Sequence, residues 1–588
     1  MQACRRSACR AASPPRGSLT PSNSSRPPGR RAASSESPPG ASGFSSSLRP
    51  RCLAHSAVFD LKIEGAEVID GTGRPGSRAD VGIRDDKIVA IGDLHREPAG
   101  RNLHASGKVV APGFIDMHSH SDWRLWENRR AESKVRQGVT TEVVGNCGFS
   151  PAPVSSEFLE DLRGFALHVP AGMDFSWRSV GDYLRAFDAS GTALNVIQLI
   201  GHGTLRVAAM GFARRAPTAA ELGRMQRLLA DGIEDGAWGL STGLIYAPGS
   251  YAATDEVVTL AATASRHRGF YASHIRGEGA TLLDAVREAI HIGREGDLPV
   301  QISHVKAAGR PNWGKVADVL ALIDAARAEG LDVMADVYPY TASSTTIRTL
   351  LPDWALEGGI DAMLKRLADP EDRARIRRDI EAPAGGQSLL DRIGWENVMI
   401  ASSARRKDAE GKRISEIAAE RGMDPLDASL ELIIDEGGKG YMILFQLDER
   451  DLRRALTHPA VMIGSDGSAL APYGELAAGK PHPRSYGTFP RVLGEYAREQ
   501  RVLTLSQAIH KMTQLPARRL GLKDRGVVAV GSRADLVVFD SRKVADRATY
   551  QAPHQYPLGI EHVLVNGTFV IKDGHHTGSL PGRLLTPP

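Results

Sequence analysis

Two histidines separated by a single residue, His118 and His120, follow shortly after an apolar run at Phe114–Ile115. In an extended strand the side chains repeat with a period of two, so both imidazoles would lie on the same face. Two imidazoles on one face at a strand end can bind a divalent metal ion. The pair by itself is a weak signal, because histidines at strand ends are usually surface residues with satisfied hydrogen bonds. The elements around the pair decide between these two interpretations.

The middle of the chain alternates short apolar runs with segments of helical periodicity, a pattern typical of parallel βα units. The helical segments include Leu222–Gly232, Leu282–Gly293 and Lys315–Glu329. Eight such units predict an α/β fold built on a TIM (β/α)8 barrel, with an open, doubly wound sheet as the alternative. The eight predicted strands are Phe114–His118, Thr141–Gly145, Asn195–Gly201, Trp238–Thr242, Phe270–His274, Val300–His304, Asp332–Asp336 and Val461–Ser465.

Side chains that can bind metal recur at the ends of these predicted strands. In a TIM barrel the carboxyl ends of the strands meet at one face, where active sites lie. Any one of these residues could instead pack, cap a helix or stabilise a turn, but their shared position indicates a common site. Imidazole and thiolate favour zinc over magnesium or calcium, and six ligands leave room for one tight ion and a second, weaker one. The candidate ligands are His118, His120, Cys147, His274, His304 and Asp466, and His202 ends the third strand.

Short strand and turn signals occur on both sides of this region. They fill residues 56–110 and return at Gly526–Asp540 and at Gly559–Gly574, where Asn566-Gly567 separates two apolar runs. We expect the two ends of the chain to pair into one small β-sandwich, with the rest of the chain inserted between them. The predicted boundaries are 55–110 for the first part of the sandwich, 111–522 for the barrel and 523–588 for the second part.

About 120 residues separate the seventh predicted strand from the eighth, far more than one connecting helix needs. We predict an inserted helical subdomain at about 345–458 that covers the catalytic mouth like a lid. The alternative is an extra packing element without a chemical role. Helical patterns occur at Ile360–Leu367, Glu371–Glu381, Arg413–Glu420 and Pro425–Glu436, and an apolar run follows at Tyr441–Leu447.

Residues 1–54 differ in composition from the rest of the chain. Through residue 52 they contain nine arginines, no lysine and one acidic residue, Glu36, a net charge of +8. This stretch, rich in Ser, Pro and Gly, can bury too little apolar area to fold, and it lacks the apolar core of a secretory signal. We interpret it as a disordered extension or as a mitochondrial or plastid transit peptide. A start codon assigned too early explains it equally well.

The composition of the remaining chain argues against two classes of function. Because the whole chain carries +4, residues 53–588 carry −4, and no nucleic-acid-binding surface is expected. No apolar run approaches the roughly 18 residues of a membrane span, so no membrane association is expected. Of the four cysteines only Cys147 lies away from the N-terminal stretch, which suits a reducing compartment and predicts a cytoplasmic location. Nothing in the sequence indicates an oligomeric state.

Seven long motifs follow one another in fixed order along the chain. They are GVTTEVVGNCGFSPAP, GHGTLR, STGLIYAPG, HVKAAG, DVYPYTASST, IGSDG and PHPRSYGTFPRVL. This set resembles the D-aminoacylase (N-acyl-D-amino-acid deacylase) family of the amidohydrolase superfamily, and the resemblance extends over nearly all of residues 56–575. It implies a TIM barrel flanked by a split β-sandwich, and zinc-dependent hydrolysis of a small N-acyl-D-amino acid to a carboxylate and a free D-amino acid.

The resemblance also implies how the metal ligands divide. Other members of the superfamily bridge two metals with a carboxylated lysine at the end of the fourth strand, where this chain has WGLSTG. In the D-aminoacylase pattern a cysteine after the second strand takes that place. The tight zinc ion would therefore be held by Cys147, His274 and His304, and the weaker site would be formed by His118, His120 and Asp466.

The remaining roles concern proton transfer and the substrate. Asp466 would take a proton from water as a general base and return it to the leaving nitrogen as a general acid. His202 is a candidate hydrogen-bond donor to the oxyanion. The substrate carries a free carboxylate, which a lysine and a bidentate arginine would match. The predicted substrate-binding residues are Tyr246, Lys306, Tyr338, Ser344 and Arg484.

Two other functions remain open at this point. One is a cyclic-amide hydrolase of the dihydropyrimidinase or hydantoinase kind, or a deaminase relative, against which the missing fourth-strand lysine argues. The other is a scaffold protein that has lost its metals. A scaffold predicts eroded ligands, whereas all six candidates are present in this chain.

Overall fold

A computed structural model describes residues 59–166, 168–383 and 393–588. The predicted N-terminal extension, residues 1–54, lies outside the described residues. The structure therefore tests none of its three interpretations, which are a disordered extension, a transit peptide and a start codon assigned too early. Across the three described ranges, no helix combines the length and the apolar content that crossing a bilayer requires.

The strands, numbered in chain order through the described ranges, form a central parallel group, an outer and mostly antiparallel sheet, and a small three-stranded antiparallel sheet. They are β1 (Leu61–Val68), β2 (Ser77–Arg84), β3 (Lys87–Gly92), β4 (Asn102–His104), β5 (Val109–Pro112), β6 (Phe114–Asp116), β7 (Val139–Val144), β8 (Asn195–Gln198), β9 (Ile200–Gly201), β10 (Gly239–Gly243), β11 (Phe270–His274), β12 (Val300–Ile302), β13 (Val333–Val337), β14 (Ser343–Thr346), β15 (Val398–Ser402), β16 (Tyr441–Leu444), β17 (Val461–Ile463), β18 (Leu536–Phe539), β19 (Ile560–Val565), β20 (Thr568–Lys572) and β21 (His575–His576).

The helices mostly connect the parallel strands. Those of the described ranges are α1 (Arg124–Glu127), α2 (Glu132–Val135), α3 (Leu159–Phe165), α4 (Val180–Ala189), α5 (His202–Met210), α6 (Ala219–Glu234), α7 (Thr254–Arg266), α8 (Leu282–Gly296), α9 (Val316–Ala328), α10 (Gly359–Ala368), α11 (Pro370–Glu381), α12 (Ile414–Arg421), α13 (Pro425–Asp435), α14 (Glu449–Thr457), α15 (Arg484–Arg491), α16 (Leu505–Met512) and α17 (Gln514–Arg519). Helix α15 continues without a break into a π-helical segment, Val492–Glu499. Short 3₁₀ turns lie at Gly249–Tyr251, Arg310–Asn312, Ile347–Leu350, Asp353–Leu356, Trp395–Asn397, Lys407–Ala409 and Gly474–Ala477.

The central strands are parallel and pair in the orders β17-β13-β12-β11-β10-β9 and β6-β7-β8. Only Leu199 separates β8 from β9, so the two sets of strands are continuous there. At the other end the chain after β17 meets the chain after β6. The backbone N–H of Asp466 donates to the carbonyl of His118 at 2.7 Å, and that of His120 donates to Gly467 at 2.8 Å. A parallel strand lies at each of the eight predicted positions, within two residues of the predicted bounds.

The parallel strands are buried on both faces, which explains why they are apolar runs rather than alternating ones. All five residues of β11 and all five of β13 are buried. Helices such as α8 cover them with an apolar stripe at helical spacing, here Leu282, Val286 and Ile290. This packing fixes where the carboxyl ends of the strands lie.

Both ends of the chain contribute to the outer sheet of nine strands. Its order is β21-β20-β19-β18-β5-β1-β2-β3, with β4 also paired to β1. Strand β5 pairs antiparallel with β18, so that Val110 faces Val538 across the junction of the two ends. Side chains from both ends, including Ile63, Val81 and Leu564, form one apolar cluster. The expected pairing of the two ends is thus present.

The long segment between β13 and β17 contains more than the predicted helices. Helices α10 to α13 lie close to the predicted helical patterns. In addition, β14, β16 and β15 form a three-stranded antiparallel sheet in that order. The description of the insert as helical is therefore incomplete. The polar sequence of β14, Ser343–Thr346, has no apolar alternation that would have predicted a strand.

A buried polar cluster joins the outer sheet to the parallel strands. The Asp535 carboxylate accepts hydrogen bonds from the Asn195 side chain at 3.1 Å and from the Asn566 backbone N–H at 2.6 Å, and it pairs with Arg525. Asn195 begins β8, whereas the other three residues belong to the C-terminal part of the chain. The cluster is therefore a polar link between elements far apart in sequence.

We predict that Asp535→Ala lowers the free energy of unfolding by about 3–5 kcal/mol, because it leaves the buried Arg525 guanidinium without its counter-charge. Urea unfolding followed by tryptophan fluorescence measures the change. The control is Glu160→Ala, since the Glu160 side chain is 87% exposed in a surface ion pair and should change stability by less than about 1 kcal/mol. Equal midpoints for the two variants would contradict the prediction.

Candidate metal centre and active site

Six side chains with metal-binding atoms converge where the parallel strands end. The Cys147 thiol lies 3.3 Å from His118 Nε2 and 3.6 Å from His304 Nε2. Asp466 Oδ1 lies 3.0 Å from His120 Nε2 and 3.6 Å from His118 Nε2. The sixth side chain, His274, stacks edge-on against His304 with ring centroids 4.4 Å apart. All six predicted ligands therefore lie within one small region.

The donor atoms divide into three overlapping groups whose members lie within 4.8 Å of one another. Cys147 belongs to two of these groups, and so do His118 and His304. One group is the predicted set for a tight ion. The predicted weaker set of His118, His120 and Asp466 is not itself one of the groups, because its members divide between the other two, which also contain Cys147 or His304. The groups are His118, His120 and Cys147; Cys147, His274 and His304; and His118, His304 and Asp466.

Three of these residues have a left-handed backbone, with φ of +54° at Cys147, +36° at His304 and +51° at Asp466. A residue with a Cβ atom adopts this conformation at a cost, and such residues cluster at functional sites. Each of the three lies just beyond a strand, where the conformation turns its side chain back toward the other donors. Local strain thus accompanies the convergence of the ligands.

The charges of the cluster compensate one another. Burial alone would raise the pKa of Cys147, but His118 and His120 hold this pKa well below its usual value. Burial likewise would raise the pKa of Asp466, and Arg484 and His120 outweigh it and hold that pKa well below the usual value. A thiolate and a carboxylate at the centre of several imidazoles form a site that attracts a divalent cation.

The buried nitrogens of the donor set show whether these residues fit zinc. Both ring nitrogens of His274 and Nδ1 of His120 are buried without a hydrogen-bond partner in the described structure. Buried polar atoms are normally paired, so unpaired imidazole nitrogens beside a thiol indicate ligands. Imidazole, thiolate and carboxylate donors are the set that zinc prefers. The residues present therefore fit this ion.

A second layer of residues orients the histidines. Asp336 Oδ1 lies 3.3 Å from His118 Nδ1 and accepts the backbone N–H of His304 at 2.8 Å. Gln301 donates to the other oxygen of the same carboxylate at 2.8 Å. A carboxylate behind a ligating imidazole fixes the tautomer and the orientation of the ring. The sequence identified Asp336 only as the last residue of the seventh predicted strand. That position at a strand end could have marked it as a candidate site residue.

Glu278 is a further residue that sequence reasoning missed. Its Oε1 lies 2.6 Å from Lys306 Nζ, 3.2 Å from His304 Nδ1 and 3.5 Å from His274 Nε2. Burial would raise the pKa of Glu278, but the Lys306 ammonium outweighs it and holds the pKa below its usual value. In the sequence, only its position four residues after His274 could have indicated that Glu278 lies near the site.

The metal-binding cluster opens into a cavity of about 1090 Å³ that the predicted substrate-binding residues line. Arg484 Nη1 lies 2.8 Å from Asp466 Oδ2, and its guanidinium stacks over the Tyr338 ring at 4.9 Å. Lys306 lies 5.6 Å from the same ring. All five predicted residues line this cavity, namely Tyr246, Lys306, Tyr338, Ser344 and Arg484.

The hydroxyl of Tyr338 is buried without a hydrogen-bond partner in the described residues. It therefore offers a donor to a molecule bound in the cavity. Tyr246 packs against His274 with ring centroids 5.0 Å apart, and its hydroxyl lies 3.2 Å from Thr345 Oγ1. The insert thus reaches the cavity through β14, because Ser344 and Thr345 belong to that strand.

The structure does not bring His202 into the cavity. Its Nε2 lies 2.9 Å from Glu256 Oε1, and Arg206 binds the same carboxylate at 2.7 Å. His202 is the first residue of α5, and the helix turns the side chain toward Glu256 in α7. The prediction of His202 as an oxyanion donor is therefore corrected, because its ring closes a buried charge cluster. A strand-end position alone does not specify the direction of a side chain.

The chain is similar to known proteins over most of its length. The profile of the Amidohydrolase family matches residues 103–571. An N-acyl-D-glutamate deacylase from Alcaligenes xylosoxydans xylosoxydans is 42% identical over 528 residues, which cover 90% of this chain and 96% of that protein. A D-aminoacylase from the same organism is 40% identical over 537 residues, covering 90% and 98%.

A solved structure is similar as well. It is the N-acyl-D-glutamate deacylase from Bordetella bronchiseptica, complexed with zinc and a phosphonate inhibitor that mimics the tetrahedral intermediate of the reaction. It superimposes with a TM-score of 0.75 and 38% sequence identity, covering 90% of this chain and 99% of that one.

We predict that Cys147→Ala weakens zinc binding far more than His120→Ala does. Cys147 belongs to two of the three donor groups, so its loss leaves one group, whereas the loss of His120 leaves two. Elemental analysis and competition with a chelator measure zinc content and affinity in both variants. Equal zinc content and equal affinity in the two variants would contradict this assignment.

Proposed function

The chain belongs to the amidohydrolase family, and we propose that it is a zinc-dependent hydrolase that removes the acyl group from N-acyl-D-amino acids. The products would be a carboxylate and a free D-amino acid. The observation that carries the proposal is the Cys147 thiol between His118 and His304, beside an Asp466 that is paired with Arg484. The relatives that are 40–42% identical are named as deacylases of this kind.

Cys147, His274 and His304 would hold the tight zinc ion, and His118, His120 and Asp466 would form the weaker site. When bound, zinc supplies a Lewis acid that polarises the amide carbonyl and lowers the pKa of water toward about 7. Asp336 and Glu278 support this arrangement, because they lie behind His118 and His304 and fix the imidazole rings.

Asp466 would move the proton of the reaction. Its Oδ1 faces His118 and His120, whereas Arg484 holds Oδ2 at 2.8 Å. This leaves Oδ1 as the oxygen that takes a proton from the attacking water. The same oxygen would then deliver the proton to the leaving nitrogen, since a carboxylic acid formed in the first step is the acid of the second.

The free carboxylate of the substrate would bind between Lys306, Arg484 and the Tyr338 hydroxyl. Both cations are already paired, Lys306 with Glu278 and Arg484 with Asp466, so the site is preorganised and does not hold unbalanced charge. Ser344 lies beside Arg484, whose Nη2 donates to the Ser344 carbonyl at 3.3 Å. Tyr246, on the His274 side, offers its hydroxyl to the amide carbonyl.

Two alternatives receive less support. A cyclic-amide hydrolase of the hydantoinase kind would need a bridging lysine at the end of the fourth strand, and β10 ends in Ser-Thr-Gly. A scaffold that has lost its metals would not retain six converging donors with unpaired imidazole nitrogens. The preference for the D configuration rests on the named relatives alone.

We also infer the organisation that supports this activity. The eight parallel strands would close into a TIM barrel through the hydrogen bonds between the chain after β17 and the chain after β6. The sandwich would take residues 55–110 and 523–588, the barrel 111–522, and the insert at about 345–458 would form the lid. A cytoplasmic location is proposed from the cysteine content.

The test is a panel of N-acetyl-D-amino acids and their L enantiomers, assayed with added zinc and scored by release of the free amino acid. We expect turnover of at least one D substrate and little of its L form. Asp466→Asn should lower kcat by about 10²–10⁴-fold, because the proton acceptor is lost. The tight zinc ion should stay bound, because Asp466 belongs only to the weaker site. A panel without any turnover would refute the proposed function, and an active Asp466→Asn variant would remove Asp466 from the mechanism.

We further predict that Arg484→Ala raises KM by about 10- to 100-fold for carboxylate-bearing substrates, since a charge-assisted hydrogen bond is lost. An analogue with an amide-capped carboxyl group should show a much smaller increase in KM. Lys439→Met serves as the control, because Lys439 is exposed and lines the same cavity. Equal KM increases for the acid and the capped analogue would show that Arg484 does not bind the carboxylate.

A further inference from the structure

We propose that Lys134 is a positioning residue, which holds in register the two chain segments that carry His118, His120 and Asp466. Lys134 lies in the short helix α2 and is buried, with no exposed side-chain surface. It does not line the cavity, so it acts only through other residues. The kinetic part of this inference rests on the proposed function, whereas the metal-binding part does not.

The Lys134 ammonium binds partners on both sides of the junction between β6 and β17. Its Nζ lies 2.7 Å from Asp116 Oδ2 and 3.1 Å from Ser119 Oγ on the β6 side. On the β17 side it lies 2.8 Å from Ser465 Oγ and 3.3 Å from the Gly467 carbonyl. One ammonium group therefore binds the first and the last parallel strand together.

Three of the four partners, Ser119, Ser465 and Gly467, are adjacent in the chain to a metal-binding donor. Ser119 lies between His118 and His120, and Ser465 directly precedes Asp466. Asp116 completes the link, because its Oδ1 accepts the backbone N–H of Ser465 at 2.8 Å and that of His118 at 3.3 Å. A displacement of the ammonium would therefore move donors on both segments.

A second carboxylate, Glu142 in β7, extends the cluster. Its Oε2 accepts the hydroxyls of Ser119 at 2.7 Å and Ser121 at 3.0 Å and lies 3.4 Å from Lys134 Nζ. The Ser121 hydroxyl in turn accepts the backbone N–H of Ala469 at 2.9 Å. The cluster thus connects three neighbouring strands directly beneath the donors.

The junction between β6 and β17 depends on these side-chain contacts because few backbone hydrogen bonds join the two segments. Around the junction, the described ladder consists of the Ser119–Gly467 bridge and the two hydrogen bonds of Asp466 and His120. The left-handed conformation of Asp466, with φ of +51°, adds a local cost. A buried ion pair is weak evidence for stability, because apolar residues of the same volume often stabilise as well. Its contacts with the neighbours of three donors indicate positioning instead.

The test compares Lys134→Met, which keeps the length of the side chain and removes the charge, with the wild-type zinc protein. We expect kcat to fall by about 100-fold, as for a displacement of catalytic groups by about 1 Å. KM should rise far less than kcat falls, because Lys306 lies outside the cluster and Arg484 is linked to it only through Asp466. Chelator competition should show zinc binding weakened by about 10- to 100-fold, as for the loss of other outer-shell partners.

Two further variants separate positioning from general stability. Lys134→Met/Asp116→Asn neutralises Asp116, the nearer of the two carboxylates that lose the ammonium, so the melting temperature should recover in part while kcat stays low. Lys511→Met removes another buried lysine that binds the same strand at its other end, donating to the Val461 carbonyl at 2.7 Å. It should lower the melting temperature and leave kcat unchanged.

Recovery of kcat together with the melting temperature in the double variant would overturn the proposal, because Lys134 would then only balance charge. A kcat within threefold of wild type and unchanged zinc affinity in Lys134→Met would also overturn it. If the wild-type protein hydrolyses no N-acyl-D-amino acid, the proposed function fails. Zinc affinity in the same variants then still decides the role of Lys134.

Discussion

The contact of the Cys147 thiol with the imidazoles of His118 and His304 is the interaction on which the rest of the site depends. A buried thiolate is costly unless positive charge lies beside it. The three residues come from three different strands, so only an arrangement of parallel strands with their carboxyl ends at one edge can bring them together. The burial of those strands by amphipathic helices sets the distances between the donor atoms.

The donors are held by residues that never reach the cavity. This holds for Asp336, which lies behind the imidazole of His118, and for Lys134 at the junction of β6 and β17. Glu278, which lies behind His304, also lines the cavity. Each of these buried carboxylates lies beside a histidine or a lysine, which offsets part of the cost of removing it from water. The donors Cys147, His304 and Asp466, which have a left-handed backbone, lie among these charges. Precise placement of the ligands is thus obtained from many weak polar contacts.

In the proposed mechanism, Arg484 would connect substrate binding with proton transfer. It pairs with Asp466, stacks on Tyr338 and faces the cavity. Binding of a carboxylate next to this guanidinium would therefore be sensed by the catalytic carboxylate. The insert participates through Ser344, which belongs to a strand that the sequence did not predict. The cavity is consequently lined by both the ends of the parallel strands and the inserted segment.

Chain order and apolar runs by themselves determined the positions of the eight parallel strands and the side chains near their ends, because these patterns are local. The strand signals at the two chain ends suggested that the ends pair, and the tertiary structure supplied the partners, β5 and β18. Ligand chemistry likewise determined the preference for zinc. Only the tertiary structure decided which strand-end residues meet, and it turned His202 toward Glu256 instead. It also revealed Glu278, Lys134 and strand β14. Their contacts join residues far apart in the chain, and no local periodicity in the sequence records such contacts.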